Sequence, residues 1–170
     1  MISSFKNVTS THVLRTLYFA RFHVHLRCAV TLWGGDSGSI KIFGLQNKVV
    51  RVIGKVGRHI SCRSLLKDLN ILSLPCLYIS EVVYRVKSNC GQVKQNGEIY
   101  DYFTRQKSDF HTQFCRTTLY KNSCENAGIN LFNNLPHTIK RRERPQETKR
   151  RLQNILMQHV FYLVEVYIFF

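Results

Sequence analysis

Apolar positions recur at helical spacing along most of the chain, and the first clear pattern runs from Thr11 to Trp33. Thr9, Ser10 and Thr11 offer N-caps, and Val13, Leu17, Ala20, Val24 and Cys28 form one apolar stripe. Leu14, Tyr18, Phe22, Leu26 and Leu32 make the other side apolar as well, so the helix is predicted to be covered on more than one side. Gly34 to Gly38 then read as a turn, with Ser39 capping a second helix over residues 40–53 that Gly54 and Gly57 end. At about 100° per residue, Ile42, Phe43, Leu45, Val49, Val50, Val52 and Ile53 fill half of this helix's wheel, while Lys41, Lys48, Arg51 and Lys55 fall together opposite. Gln46 projects into the apolar arc, where a buried amide must find partners; it is either a tie between helices or a group aimed at a ligand, and the tie is the expectation.

Further along, Ser61 is predicted to cap a short helix through Leu69, and Ser73 with Pro75 starts another that carries Leu77, Ile79, Val82, Val83 and Val86. From residue 88 to 118 the period dissolves into a long loop or crossing segment, in which Asn96-Gly97 between Val93 and Ile99 reads as a short β-hairpin turn. Tyr100, Tyr102, Phe103, Arg105 and Lys107 interleave aromatic and basic groups there, either to meet single-stranded bases or to close the core under the loop. Periodicity resumes over residues 119–135 with Ala127, Ile129, Leu131, Phe132 and Leu135. After Pro136 comes the run KRRERPQETKRR, then a helix with Leu152, Ile155, Leu156, His159 and Leu163 on one face. The fold class is therefore mainly α, a small helical domain of about five to six helices with one long loop. Its expected layout is a disordered lead over residues 1–10, a helical unit at 11–87, the loop at 88–118, C-terminal helices at 119–163 with a basic linker at 140–151, and an apolar tail at 164–170.

Charge changes this picture. Twenty-five Lys and Arg against ten Asp and Glu leave +15 over 170 residues, an excess that opposes compaction unless an anionic partner offsets it. No acid lies between Asp36 and Asp68, so the basic face of the second helix, continued by Arg58 and Arg63, is the first candidate surface for a nucleic-acid backbone. Lys140, Arg141, Arg142, Lys149 and Arg150 are the second. Cations beside a helix N-terminus oppose its dipole, and an anion bound there would relieve that cost.

Six cysteines without a secretory signal peptide read as reduced thiols, and no cofactor or metal site is expected: the nearest approach to ligand spacing is His111-x3-Cys115 with a lone Cys124. The acid-free opening MISSFKNVTSTHVLRTLYFARFHVHLR is either the first helix of the domain, the reading taken here, or a mitochondrial transit peptide; the expected location is intracellular, in nucleus or cytoplasm. The apolar C-terminal stretch is too short to span a bilayer. Metal-dependent nucleotidyl transfer needs carboxylates side by side, but Asp36, Asp68, Asp101 and Asp109 are scattered. GKVGRH lacks the spacing of a phosphate loop, GGDSGS is turn chemistry, and no nucleophile elbow is present. Catalysis is not expected.

Four segments in order carry a resemblance: YFARFHVHLRCAVTLWGGDSGSIKIFGLQNKVVRVI, SCRSLLKDLNILSLPCLYI, NAGINLFNNLPHTIKR and a last helix ending HVFYLVE. From about residue 14 onward the chain resembles the C-terminal end of the polyprotein of insect non-LTR retrotransposons of the jockey type. The resemblance implies a helical thumb and post-thumb region of a reverse transcriptase, gripping template and primer, with a palm domain packing on helix 11–33. That family's catalytic aspartates and endonuclease residues match no position here. Two departures stand out: Val52-Ile53-Gly54-Lys55 is one residue shorter than the family's Ile-Thr-Gly turn, and EVYIFF replaces a more acidic, polar end. Two rival readings stay open, a small helical protein-interaction module docking through its first helix and a transposon relic with no function of its own.

Overall fold

The computed structural model describes residues 9–91, 93–101, 105–121, 123–140 and 144–160, the side chains of residues 119, 121, 137 and 138 apart. The protein is mainly α. Among the described residues the only extended pairing is one antiparallel bridge, Gln95 to Phe110, and no strand forms. The helices are α1 (Thr11–Leu17), continued by a π-helical segment (Tyr18–His23) into α2 (Val24–Arg27), then α3 (Val30–Trp33), α4 (Ser39–Ile53), α5 (Cys62–Asp68) and α6 (Leu74–Ser88). After them come α7 (Asn96–Ile99), α8 (Thr118–Lys121), α9 (Cys124–Asn133), α10 (His137–Lys140) and α11 (Pro145–His159).

Helix α6 is the hub. Leu74, Cys76, Leu77, Tyr78, Ile79, Ser80, Val82, Val83 and Val86 are all buried along it, so it is apolar on nearly every side and needs neighbours on every side. Helices α9 and α11 cover two of those sides and α3 and α4 lean on others. Gly128 lets α9 come close, because a Cβ there would lie 2.6 Å from Val86 Cγ2 and 2.8 Å from Val82 Cγ1. Ser73 accepts from the Cys76 N–H and Pro75 sits in the first turn, as the sequence predicts for this start. A second, smaller core gathers Leu14, Tyr18, Val50, Ile53, Cys62, Leu66, Ile71 and Val160 between α1, α4 and α5, and Phe22 packs against both.

The first helix differs from its prediction in two ways. It is not continuous to Trp33: it ends at Arg27, Cys28 turns extended, and Ala29 takes the left-handed conformation at φ 52° before α3 starts. Its buried stripe is also the other one. Leu14, Tyr18 and Leu26 are buried with Phe22 partly so, whereas Val13, Ala20, Val24 and Cys28 of the expected stripe are exposed. Both stripes are apolar, and the choice was made by where α4 and α5 attach. Residues at four-residue spacing drift by about 40° per step on an α-helix, and the wider π turn takes up that drift, keeping Leu14, Tyr18, Phe22 and Leu26 toward one side.

The long loop is also more ordered than a linker. Asn96-Gly97 does not turn a hairpin but opens the single helical turn α7, with the Gln95 N–H donating to Glu98 Oε2. Instead the Asn96 N–H donates to Asp109 O, the Gly97 N–H to Lys107 O and the His111 N–H to Lys94 O, so residues 94–97 and 107–111 are bonded back to back as a lobe. Phe110 anchors it: its ring lies 5.0 Å from that of Phe132, and the Asn133 side chain bonds both its N–H and its carbonyl. The expected basic linker at 140–151 is likewise not a linker, since α11 begins at Pro145 and carries half of that run, with Glu147 in its first turn to offset the cations. No helix of the described residues is long and apolar enough to cross a membrane.

Candidate nucleic-acid interface

Helix α4 sorts its faces as its period dictates, with one correction. Gln46, Val50 and Ile53 are buried, Ile42, Phe43, Val49 and Val52 half-buried, and Leu45 is exposed although it belongs to the expected apolar arc. Gln46 is the tie predicted for it. Its Nε2 donates to Tyr18 Oη at 2.9 Å and to the Leu72 carbonyl at 2.8 Å, and its Oε1 accepts from the Leu74 N–H at 2.8 Å. One amide therefore joins the π segment, the α5–α6 connection and the start of α6. Burial pushes the Tyr18 hydroxyl up to about 12, the Gln46 hydrogen bond working the other way. His23, its ring 6.0 Å from Tyr18, is held below the usual imidazole range by burial and by the Arg27 charge, against the pull of Glu81.

On the opposite face Lys41 and Lys48 point to solvent, and Lys55, Arg58 and Arg63 follow as exposed residues beyond the helix end. Among the described residues, Lys41, Lys48, Lys55 and Arg58 make no ion pair and no side-chain hydrogen bond. Arg51 is half-buried and its Nε donates to the Ile60 carbonyl at 3.0 Å, so it braces residues 54–61 against the helix. That bracing holds Arg58 beside α4 and delivers Ser61, whose Oγ accepts from the Arg63 N–H to start α5.

The end of α4 is a Schellman turn set one residue late. The Val56 N–H reaches Arg51 O and the Lys55 N–H reaches Val52 O, with Lys55 at φ 56° in the left-handed position that glycine favours. Gly54 precedes it in a right-handed conformation, and a Cβ on Gly54 would lie 2.8 Å from Leu65 Cδ2. The glycine is thus spent on the approach of α5, and a lysine takes the strained position.

The second set of candidate cations divides. Lys140 Nζ lies 2.9 Å from Asp109 Oδ1, both side chains about one-sixth exposed, and so closes the loop lobe onto α10. Lys149 Nζ lies 2.7 Å from Glu81 Oε2 and 4.7 Å from the Tyr84 ring centre, and Glu81 also receives Arg27 at 3.3 Å. These two lysines are engaged within the fold, unlike Lys41 and Lys48. Arg150 is exposed, and Arg141 and Arg142 lie outside the described residues.

In the loop, Tyr100 is partly exposed with its ring 5.8 Å from His111, Arg105 and Lys107 are exposed, and Tyr102 and Phe103 lie outside the described residues. Sequence reading passed over Arg85 and Lys94, which the fold brings to one pocket; the signal that could have found them is the loop's own length and amide content. All six thiols are free, with Cys62 and Cys76 buried, and burial pushes the Cys62 thiol up. No three His, Cys, Asp or Glu side chains among the described residues gather to hold a metal ion. Comparison of the chain with protein-family models, with curated proteins and with solved structures finds no match.

Proposed function

We propose that this chain is a non-catalytic thumb and post-thumb segment of a non-LTR retrotransposon reverse transcriptase, which holds an RNA or DNA backbone along the outer face of α4. The observation that carries the reading is the sorting of α4: Gln46, Val50 and Ile53 are fixed inward, and Lys41 and Lys48 stand opposite with no carboxylate partner among the described residues. Cations held on one rigid face with no internal counter-charge lose little on meeting phosphates and release the counterions condensed there. The ordered motifs of the sequence supply the address beside a palm.

The exposed apolar residues Val13, Val24 and Leu32 on the first three helices favour a second reading, in which this surface docks on a protein, a palm domain or another partner. The two readings separate by experiment. With about six phosphate contacts, affinity for a mixed-sequence oligonucleotide falls by about 10³ between 50 and 200 mM salt in a filter-binding series. Lys41→Glu with Lys48→Glu abolishes that binding without touching the first helix; Arg51 is left alone because it braces the turn. Binding that shows no salt slope, or that survives the double reversal, would refute the backbone reading and leave the docking one.

A further inference from the structure

At the C-terminal end of α6, roughly 18 Å along the helix from the Gln46 tie at 1.5 Å per residue, lies a pocket of about 430 Å³ between α6, residues 93–99 and 111–113, α8 and α9. Its size is that of a small-molecule site. Val86, Val93 and Ile129 give it an apolar floor, and Arg85 and Lys94 stand in its wall against the single carboxylate of Glu125. Its outer wall is prebuilt rather than loose, because Asn96 Nδ2 donates to the Gln106 carbonyl, the His111 ring pairs with Asn96 Oδ1 and Asn133 clasps Phe110 from both sides.

Two features of the lining point to a flat, hydrogen-bonding ligand. The Tyr120 hydroxyl donates to Gln113 Oε1 at 2.7 Å, which fixes the Gln113 side chain, and among the described residues its amide N–H groups are unspent. Tyr120, which lines the pocket, is 46% exposed, an aromatic face that the fold itself leaves partly uncovered. Aromatic rims stack bases, side-chain amides read base edges and guanidinium or ammonium groups take phosphate.

We propose that this pocket binds a nucleotide, with its base on the Val86–Ile129 floor beside Gln113 and Tyr120 and its phosphate at Arg85 and Lys94. The ligand is either a free mononucleotide or an unstacked nucleotide of a bound strand; only the second source rests on the backbone reading of α4. Adenosine 5′-monophosphate is the probe, with binding to the full chain read by ligand-observed saturation-transfer NMR. Saturable transfer is expected, and Arg85→Glu with Lys94→Glu weakens it at least tenfold, as the loss of charge-assisted contacts requires. Both side chains are exposed, and circular dichroism checks that the fold is kept.

Gln113→Ala, at another exposed position, weakens adenosine monophosphate more than ribose 5-phosphate, because it removes only the contact to the base. Absence of saturable binding at millimolar probe, or binding indifferent to all three substitutions, overturns the proposal. If the Arg85 and Lys94 reversal also weakens a single-stranded oligonucleotide, the strand is the source; if the oligonucleotide is unaffected, the free nucleotide is. Lys41→Glu with Lys48→Glu leaves the monophosphate bound, so failure of the α4 reading shows separately from failure of this one.

Discussion

Around α4, Lys41, Lys48, Lys55 and Arg58 meet no carboxylate among the described residues and are exposed, whereas around α11 Lys149 lies on Glu81 and around α10 Lys140 lies on Asp109, each largely enclosed. Similar residues in two parts of one small protein have opposite fates. The difference lies in the supply of counter-charge: the stretch from Ser37 to Lys67 contains no acid, while Glu81 and Asp109 are brought to the C-terminal helices by α6 and by the loop lobe. A cation with an acid in reach becomes part of the fold, and one without becomes available to a partner. The ties to α6 differ in kind as well, since α4 reaches its start through the neutral amide of Gln46 and α11 reaches α6 through the Lys149–Glu81 ion pair.

That contrast can be broken from its strongest point downward. Gln46→Leu keeps the volume of the tie but strands the Tyr18 hydroxyl, the Leu74 N–H and the Leu72 carbonyl, and it should cost about 4 kcal/mol in urea unfolding. A loss under 1 kcal/mol would mean that these groups find other partners and that the amide is not what joins the two cores. Next, Glu81→Gln leaves Lys149 and Arg27 without their shared carboxylate and should cost about 2 kcal/mol, discounted because the site is not fully closed. Lys48→Glu on the open face should change stability by no more than about 0.5 kcal/mol. Equal effects from the two would erase the distinction between cations of the fold and cations of the surface. Between those two in size and opposite in sign, Lys55→Gly relieves a left-handed lysine and should raise the unfolding midpoint by the equivalent of about 1 kcal/mol while weakening oligonucleotide binding. A glycine there that destabilises would show that the lysine side chain supports the turn.

The α4 faces were legible in the sequence because a helix of fifteen residues repeats its pattern several times, and Gln46 stood out as the polar residue in an apolar arc. The caps at Ser61 and Ser73 were legible for the same local reason: a side-chain oxygen bonds an amide two or three residues away. The loop was legible only as a length. Its lobe depends on Asn133, more than twenty residues away, closing on Phe110, and no local pattern encodes that distance.

Periodicity, capping and the absence of acid over residues 37–67 thus belonged to the sequence alone: they fixed a helical protein with one basic helix face. The tertiary structure decided which of two apolar stripes on the first helix is buried, that α6 rather than α4 is the hub, and that Lys149 is taken by a carboxylate 68 residues away while Lys48 is not. The physical reason is the range of the interactions. Caps and helix periods act within a few residues of each other, but a helix apolar on two sides, or a lysine with acids elsewhere in the chain, has several acceptable partners, and only the packing of the whole chain selects one.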